Sequence, residues 1–122
     1  MKKSILTIVI LLILFTSCDY IYYNRLYIIN NCDERIEVSI TDTWNTVNTF
    51  SVDGNTTFMF DEGSGITSPK GIVEQSFVKF EVTKNGIKSK VNYRDFKKWI
   101  YIEKEDEYHS EVYLPINPEH FK

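Results

Sequence analysis

Histidine and cysteine, which often carry catalysis and bind transition metals, are scarce in this 122-residue chain, which has two of each. No Ser-His-Asp or Cys-His arrangement occurs as a local motif. Gly63-Ser64-Gly65 lacks the third glycine of a dinucleotide-binding turn, and no Gly-Lys-Ser/Thr follows it, which argues against a phosphate-binding loop. We therefore predict a protein that is not an enzyme and that uses no cofactor.

A metal site is also not expected. Glu107, His109 and Glu111 alternate along a predicted strand and so share one face. Consecutive positions on one face lie about 7 Å apart, too far for a single ion that holds its ligands at about 2 Å. The carboxylates of residues 103–107 fall in a polar turn, whereas a glycosidase needs a buried carboxylate with a raised pKa. We therefore predict that Glu107, His109 and Glu111 form a solvated, charged face of the sheet.

Positive charge is not in excess, since 14 Lys and Arg oppose 17 Asp and Glu and give a net charge of −3. An acidic chain is a poor partner for the phosphate backbone, and we expect no binding to nucleic acid.

The chain lacks a hydrophobic run long enough to span a membrane. The longest, Ile5 to Phe15, has eleven residues that are apolar apart from Thr7, whereas a spanning helix needs about 20. Lys2 and Lys3 precede this run, and the small residues Thr16 and Ser17 lead directly to Cys18. That order of basic, apolar and small residues is the anatomy of an export signal.

The ending Phe15-Thr16-Ser17-Cys18 resembles the lipobox of bacterial lipoproteins, with Phe15 in place of the commoner leucine. A Phe-Thr-Ser-Cys ending is similar to lipoproteins of the Bacteroidota type. The resemblance implies that a signal peptidase cuts before Cys18 and that its thiol receives a diacylglycerol, with acyl chains such as palmitate holding the protein to a membrane. The alternatives are an ordinary cleaved signal and an uncleaved anchor, which Asp19 would interrupt.

We therefore predict a signal peptide over 1–17, a lipidated stalk over 18–24 and one domain over 25–122. The mature chain would have 105 residues, with 12 basic against 17 acidic side chains, a net charge of −5. Its location would be the cell envelope, at the outer membrane or the cell surface. Cys32 would then have no disulfide partner and would be either a buried small apolar residue or a reactive thiol.

The domain shows no amphipathic helix pattern and no repeat. Its short apolar runs, separated by turn residues, predict about seven short strands. Ile36, Val38 and Ile40 alternate with polar residues, as expected of a half-buried strand. Ser110, Val112 and Leu114 are likewise expected to point inward from the last strand. Asn85-Gly86 predicts a two-residue hairpin that pairs Thr83 with Lys88 on its polar face, and Phe80 with Val91 and Val78 with Tyr93 on its apolar, inward face. We predict an all-β, antiparallel sandwich, immunoglobulin-like or transthyretin-like, with a small β-barrel as the alternative.

Four further expectations concern single segments. A three-residue turn would pair Phe50 with Phe58 in a hairpin. Tyr22 and Tyr23 would either sit at the membrane interface or already begin the first strand. Residues 99–102, apolar on both sides, would form a central strand, and Pro115 would end the last strand.

Two segments offer candidate contacts with a ligand or partner. Trp44, in a polar loop, would stack on a sugar, anchor a protein partner or fold back over the core edge. Residues 61–75 have no clear periodicity, and loops of about 15 residues are uncommon unless they are functional or mobile. Gly63, Gly65 and Ile66 are the candidate contact residues in this loop.

The segments YIINNCDERIEVSI and EVYLPINPEHF resemble the ends of small, uncharacterised lipoprotein domains of Bacteroidota-type bacteria. The resemblance implies a β-sandwich in the envelope and carries over no functional residue. We expect a membrane-anchored, non-enzymatic binding or assembly module whose partner is another envelope protein or a glycan. The alternative is a small inhibitor or immunity-type lipoprotein that blocks a basic enzyme such as a lysozyme.

Overall fold

A computed structural model describes residues 21–103 and 109–122 as two β-sheets packed face to face. The predicted signal over 1–17, the predicted lipidation site Cys18 and Glu107 of the predicted charged face lie outside the described residues. Within them, the predicted all-β sandwich is confirmed. No closed barrel forms among these strands, because they divide into two separate sheets.

Eight strands are described, one more than the sequence suggested. They are β1 (Tyr22–Asn30), β2 (Ile36–Asp42), β3 (Val47–Val52), β4 (Thr57–Gly65), β5 (Phe77–Lys84), β6 (Ile87–Lys88), β7 (Ile100–Glu103) and β8 (His109–Ile116). A helical segment, α1 (Pro69–Gly71), continues as a π-helical turn over Ile72–Ser76, and 3-10 turns occupy Phe96–Lys98 and Pro118–Phe121.

The two sheets have the strand orders β4-β1-β8-β7 and β3-β2-β5-β6. All neighbouring strands are antiparallel except β1 and β8, which run parallel. Tyr22 and Tyr23 already belong to β1, so the first strand begins before the predicted Arg25.

Alternation along β2 and β8 is confirmed, because every second side chain enters the core. Ser110, Val112 and Leu114 all point inward. Pro115 does not end β8, which continues to Ile116. On the β7 side, the described pairing of β8 reaches only Tyr113, so Pro115 has β1 beside it on one side and no described strand on the other, an edge position that tolerates proline.

The Asn85-Gly86 turn is confirmed. Both residues have positive φ, 52° and 76°, and Thr83 pairs with Lys88. The hairpin ends after two residues of β6, so the longer predicted pairing does not form. A bulge in β5 lets Phe77 enter the core and leaves Val78 exposed, which reverses the predicted inward position of Val78.

Three predictions about pairing are wrong. Phe50 and Phe58 are not hairpin partners, because β3 and β4 belong to different sheets; their rings meet across the sandwich at 5.4 Å. The predicted central strand is instead the edge strand β7. The first five residues of the predicted 61–75 loop belong to β4 and pair with β1.

Asn30, the last residue of β1, holds together the loops at one end of the sandwich. Its side chain is fully buried (0% exposed). Nδ2 donates to the carbonyl oxygens of Glu34 (2.9 Å), Val52 (3.1 Å) and Asp53 (3.1 Å), while Oδ1 accepts from the N–H of Cys32 (2.9 Å). This one amide therefore joins the β1–β2 loop to the end of β3, where the chain crosses from one sheet to the other.

We predict that Asn30→Ala lowers the free energy of unfolding by at least about 3 kcal/mol, because it leaves several buried or half-buried backbone groups without a partner. Urea unfolding followed by circular dichroism measures the change. Asn31→Ala is the matched control: it removes one exposed hydrogen bond, from Asn31 to Asn117, and is expected to change little. Equal effects of the two variants would contradict the role of Asn30.

Candidate functional site

A cleft of about 730 Å³ opens between the edge strands β3 and β4, at the end of the sandwich that carries the β2–β3 turn. Three of the four predicted contact residues, Trp44, Gly63 and Gly65, line it. Ile66 is exposed and is not among the lining residues. The structure therefore brings the two candidate segments together around one concave surface, although the contact role itself stays a prediction.

The cleft exists because two inward positions of β4 have no side chain. Gly63 pairs with the buried Asn24, and Gly65 pairs with Tyr22, so both glycines face the space between the sheets. An ideal Cβ at either glycine would have no atom of the described chain within 4 Å. Neither glycine has a positive φ, so their backbone conformation does not require glycine.

Phenylalanine rings form the floor of the cleft. Phe50 of β3 lies 5.4 Å from the ring of Phe58 and 5.6 Å from that of Phe60, both on β4. Phe60 in turn contacts Phe77 at 6.2 Å. Phe58 remains 42% exposed, so the aromatic cluster is incomplete on its cleft side.

A β-bulge near Phe60 decides which polar group enters the cleft. The pairing of β4 with β1 shifts by one residue there, so that Met59 pairs with Tyr27 and Asp61 pairs with the buried Leu26. Paired residues of antiparallel strands point to the same face, and Asp61 therefore turns inward. Without this shift the alternation would aim the carboxylate at the outer surface.

The Asp61 carboxyl has a raised pKa because the surrounding protein partly removes it from water. The backbone N–H of Glu62 opposes this effect by stabilising the charged form. The residue as a whole remains exposed, so its carboxyl lies at the mouth of the cleft rather than deep inside. None of the described lining residues is Lys or Arg.

The rim opposite Asp61 is the turn that carries Trp44. Asp42 Oδ1 accepts from the N–H groups of Trp44 (2.8 Å) and Thr46 (3.0 Å), and Asn45 takes a positive φ of 61°. The turn presents Trp44 with 86% of its surface exposed, so the alternative in which it folds back over the core is wrong. Asp42 therefore stabilises its own turn, and Asp61 is the lining carboxylate that β4 contributes.

Cys32 and His109 lie outside the cleft lining. Cys32 is buried and its thiol pKa is raised by that burial, which makes it a poor nucleophile and matches the inert alternative. His109 stacks on Tyr23 with ring centroids 4.8 Å apart, on the outer face of β1 and β8. Across residues 21–103 and 109–122, no group of three His, Cys, Asp or Glu side chains is placed to hold a metal ion.

A partly buried hydrogen-bond network near the C-terminus was not predicted from the sequence. Ser89 and Tyr93 share a hydrogen bond of 2.6 Å, and the Tyr93 hydroxyl lies 3.1 Å from His120 Nδ1. Burial raises the pKa of Tyr93 to about 12 and lowers that of His120. These groups satisfy one another and attach the C-terminal turn to the core. Spacing along the chain could not reveal them, because the contact between Tyr93 and His120 joins residues 27 positions apart.

In the part of the chain that the structure covers, no helix is long and apolar enough to cross a membrane. No protein-family model, curated protein or solved structure matches this chain. The candidate site is therefore interpreted from its own geometry and chemistry.

We predict that Asp61→Asn raises stability at neutral pH, by less than about 1 kcal/mol because solvent screens this exposed site. A carboxyl whose folded pKa is raised favours the folded state below its unfolded pKa and loses that contribution as pH rises through the folded pKa. The advantage of the variant should therefore vanish in acid, where both side chains are neutral. Thermal unfolding between pH 3 and pH 7 measures it.

Glu62→Gln is the matched control for this measurement. Glu62 is the neighbouring residue on the outer side of β4 and pairs with Arg25 at 3.2 Å. Its removal is expected to give no gain at neutral pH, since it deletes an exposed ion pair. A pH-independent effect of Asp61→Asn would contradict the desolvation of its carboxyl.

Proposed function

We propose that this protein is a non-enzymatic binding module of the cell envelope, held to a membrane by lipid on Cys18, and that it binds its partner in the cleft between β3 and β4. The observation that carries the proposal is the cleft itself. It combines a partly exposed aromatic floor, a desolvated carboxylate and an exposed tryptophan at the rim. Ligand sites are typically concave surfaces that combine apolar side chains with placed polar groups, and this cleft combines its aromatic floor with Thr, Asn and Asp side chains.

Binding is favoured over catalysis by the carboxylates of the cleft. Hydrolysis of a glycoside requires two carboxyl groups that act on the same bond. Asp42 stabilises its own turn through Oδ1, which commits one of the two lining aspartates to a structural role. Glycan turnover that Asp61→Asn abolishes would contradict the non-enzymatic proposal.

The anchor and the cleft would lie at the same end of the sandwich. β1 begins at Tyr22, four residues after Cys18, and an extended chain of that length spans about 14 Å. Tyr22 pairs with Gly65, at the glycine end of the cleft. A lipid on Cys18 would therefore hold the cleft close to the membrane, where another envelope protein or a glycan can reach it.

The anchor is tested by metabolic labelling with an alkyne analogue of palmitate in the source bacterium. Wild-type protein and Cys32→Ala should both carry the label, whereas Cys18→Ser should lose it and leave the membrane fraction. Cys32→Ala is the matched control because it removes the other cysteine of the chain. Label retained by Cys18→Ser, or absent from wild type, would contradict a lipid on Cys18.

The cleft is tested by filling it. Gly65→Leu places a side chain in open space without backbone strain, so we expect folding to be unchanged and partner capture to fall by about tenfold or more. The measurement is cross-linking in intact cells, followed by capture and mass spectrometry. Thr57→Leu, on the outward side of the same strand, should capture as wild type does. Equal capture by wild type, Gly65→Leu and Thr57→Leu would mean that the partner does not bind in the cleft.

A second candidate function, an inhibitor or immunity-type protein, is favoured by the exposure of Trp44 at the tip of a well-formed turn. Such a side chain can insert into the cleft of a basic enzyme, which an acidic protein attracts. The same capture experiment separates the two functions. Capture of a basic cell-wall hydrolase by wild type and by Gly65→Leu, but not by Trp44→Ala, would favour the inhibitor function.

A further inference from the structure

β4 is an edge strand that has a partner on one side only. It is nine residues long and pairs with β1, and it ends its sheet in the described structure. The other edge of such a strand presents N–H and C=O groups to which another extended chain can pair. β3 ends the opposite sheet on the far side of the cleft, so a strand added to β4 would insert its inward side chains between the two sheets.

The inward side of β4 changes character along its length. Phe58 offers an apolar surface, Asp61 offers a carboxylate, and Gly63 and Gly65 leave empty space. Side chains on one face of a strand recur at every second residue. An added strand would therefore place one side chain against Phe58, the next near Asp61 and the one after that over the glycines.

We propose that the cleft binds an extended segment of a partner protein, which pairs with the free edge of β4 and inserts an apolar, a basic and a second apolar side chain at alternate positions. This inference rests on the proposed binding function and names the class of its partner. The first apolar side chain covers the exposed part of Phe58, and the second fills the space above Gly63 and Gly65. The basic side chain pairs with Asp61.

Charge and shape favour this partner over others. With two aspartates and no Lys or Arg among its described lining residues, the cleft attracts cations and repels phosphates and acidic peptides. A glycan can stack on Trp44 and on the rings around Phe58, but it does not continue the backbone hydrogen-bond ladder of a strand edge. An extended peptide uses all of these features, and its backbone supplies hydrogen bonds to β4.

A synthetic peptide tests the inference directly. The sequence Thr-Leu-Thr-Lys-Thr-Leu-Thr has the same inward pattern in both directions, so it fits a parallel or an antiparallel addition. The fluorescein-labelled peptide is titrated into the full chain in phosphatidylcholine nanodiscs, with empty nanodiscs as the blank, and binding is read as anisotropy. We expect saturable binding, about tenfold weaker when the peptide Lys is replaced by Glu.

Variants of the protein give the matched controls. Asp61→Asn should bring the affinities for the Lys and Glu peptides close together, because it removes the charge that distinguishes them. Gly65→Leu should weaken binding of the Lys peptide by about tenfold or more, while Thr57→Leu should bind it as wild type does. Circular dichroism confirms that each variant is folded.

Several outcomes would overturn the inference: no saturable binding, equal binding of both peptides to wild type, or an affinity that Gly65→Leu leaves unchanged. Binding of a chitin or peptidoglycan oligosaccharide in the same cleft, without peptide binding, would also overturn it. If the peptide fails while Gly65→Leu still abolishes capture in cells, the binding function stands and only the partner class is wrong. If the filled cleft changes neither measurement, both proposals fail.

Discussion

The buried side-chain amide of Asn30 holds the junction at which the chain passes from β3 on one sheet to β4 on the other. A polar side chain taken out of water must find hydrogen-bond partners, and this amide finds four backbone groups in two separate loops. Two backbone hydrogen bonds, from Asn30 to Thr56 and from Asn55 to Cys32, reinforce the same junction. The chain therefore leaves β3 and enters β4 on the opposite sheet, rather than turning back on itself in a hairpin.

That crossing leaves a cleft open between β3 and β4. Because β3 and β4 end different sheets on the same side of the sandwich, the space between them is closed by no further strand of the described structure. Side chains close this gap where Phe50, Phe58 and Phe60 meet. The gap stays open at Gly63 and Gly65, which have no side chains to fill it and lie next to the partly desolvated carboxyl of Asp61. The cleft combines an incompletely packed core with a strand edge that has no described partner, and an added strand would complete both.

Local patterns predicted the parts of the fold that local physics controls. Alternation identified the buried face of β2, and Asn85-Gly86 specified its own turn, because positive φ at both residues is accessible to Asn and Gly. The hairpin of Phe50 and Phe58 was wrong for an instructive reason. Their apolar spacing is compatible both with cross-strand pairing and with packing between two sheets. The hydrogen bonds of Asn30, which lies 20 residues before Phe50, favour the packing between sheets.

The sequence by itself determined the β-sandwich class, the inward residues of β2 and β8 and the two segments that line the cleft, because periodicity and turn chemistry act over a few residues. Only the tertiary structure decided that Trp44 and the glycines face one another, that the bulge near Phe60 turns Asp61 inward, and that β3 and β4 lie on different sheets. These features depend on contacts between residues far apart in the chain. Such contacts follow from which buried groups must satisfy one another in space, and no spacing along the sequence records them.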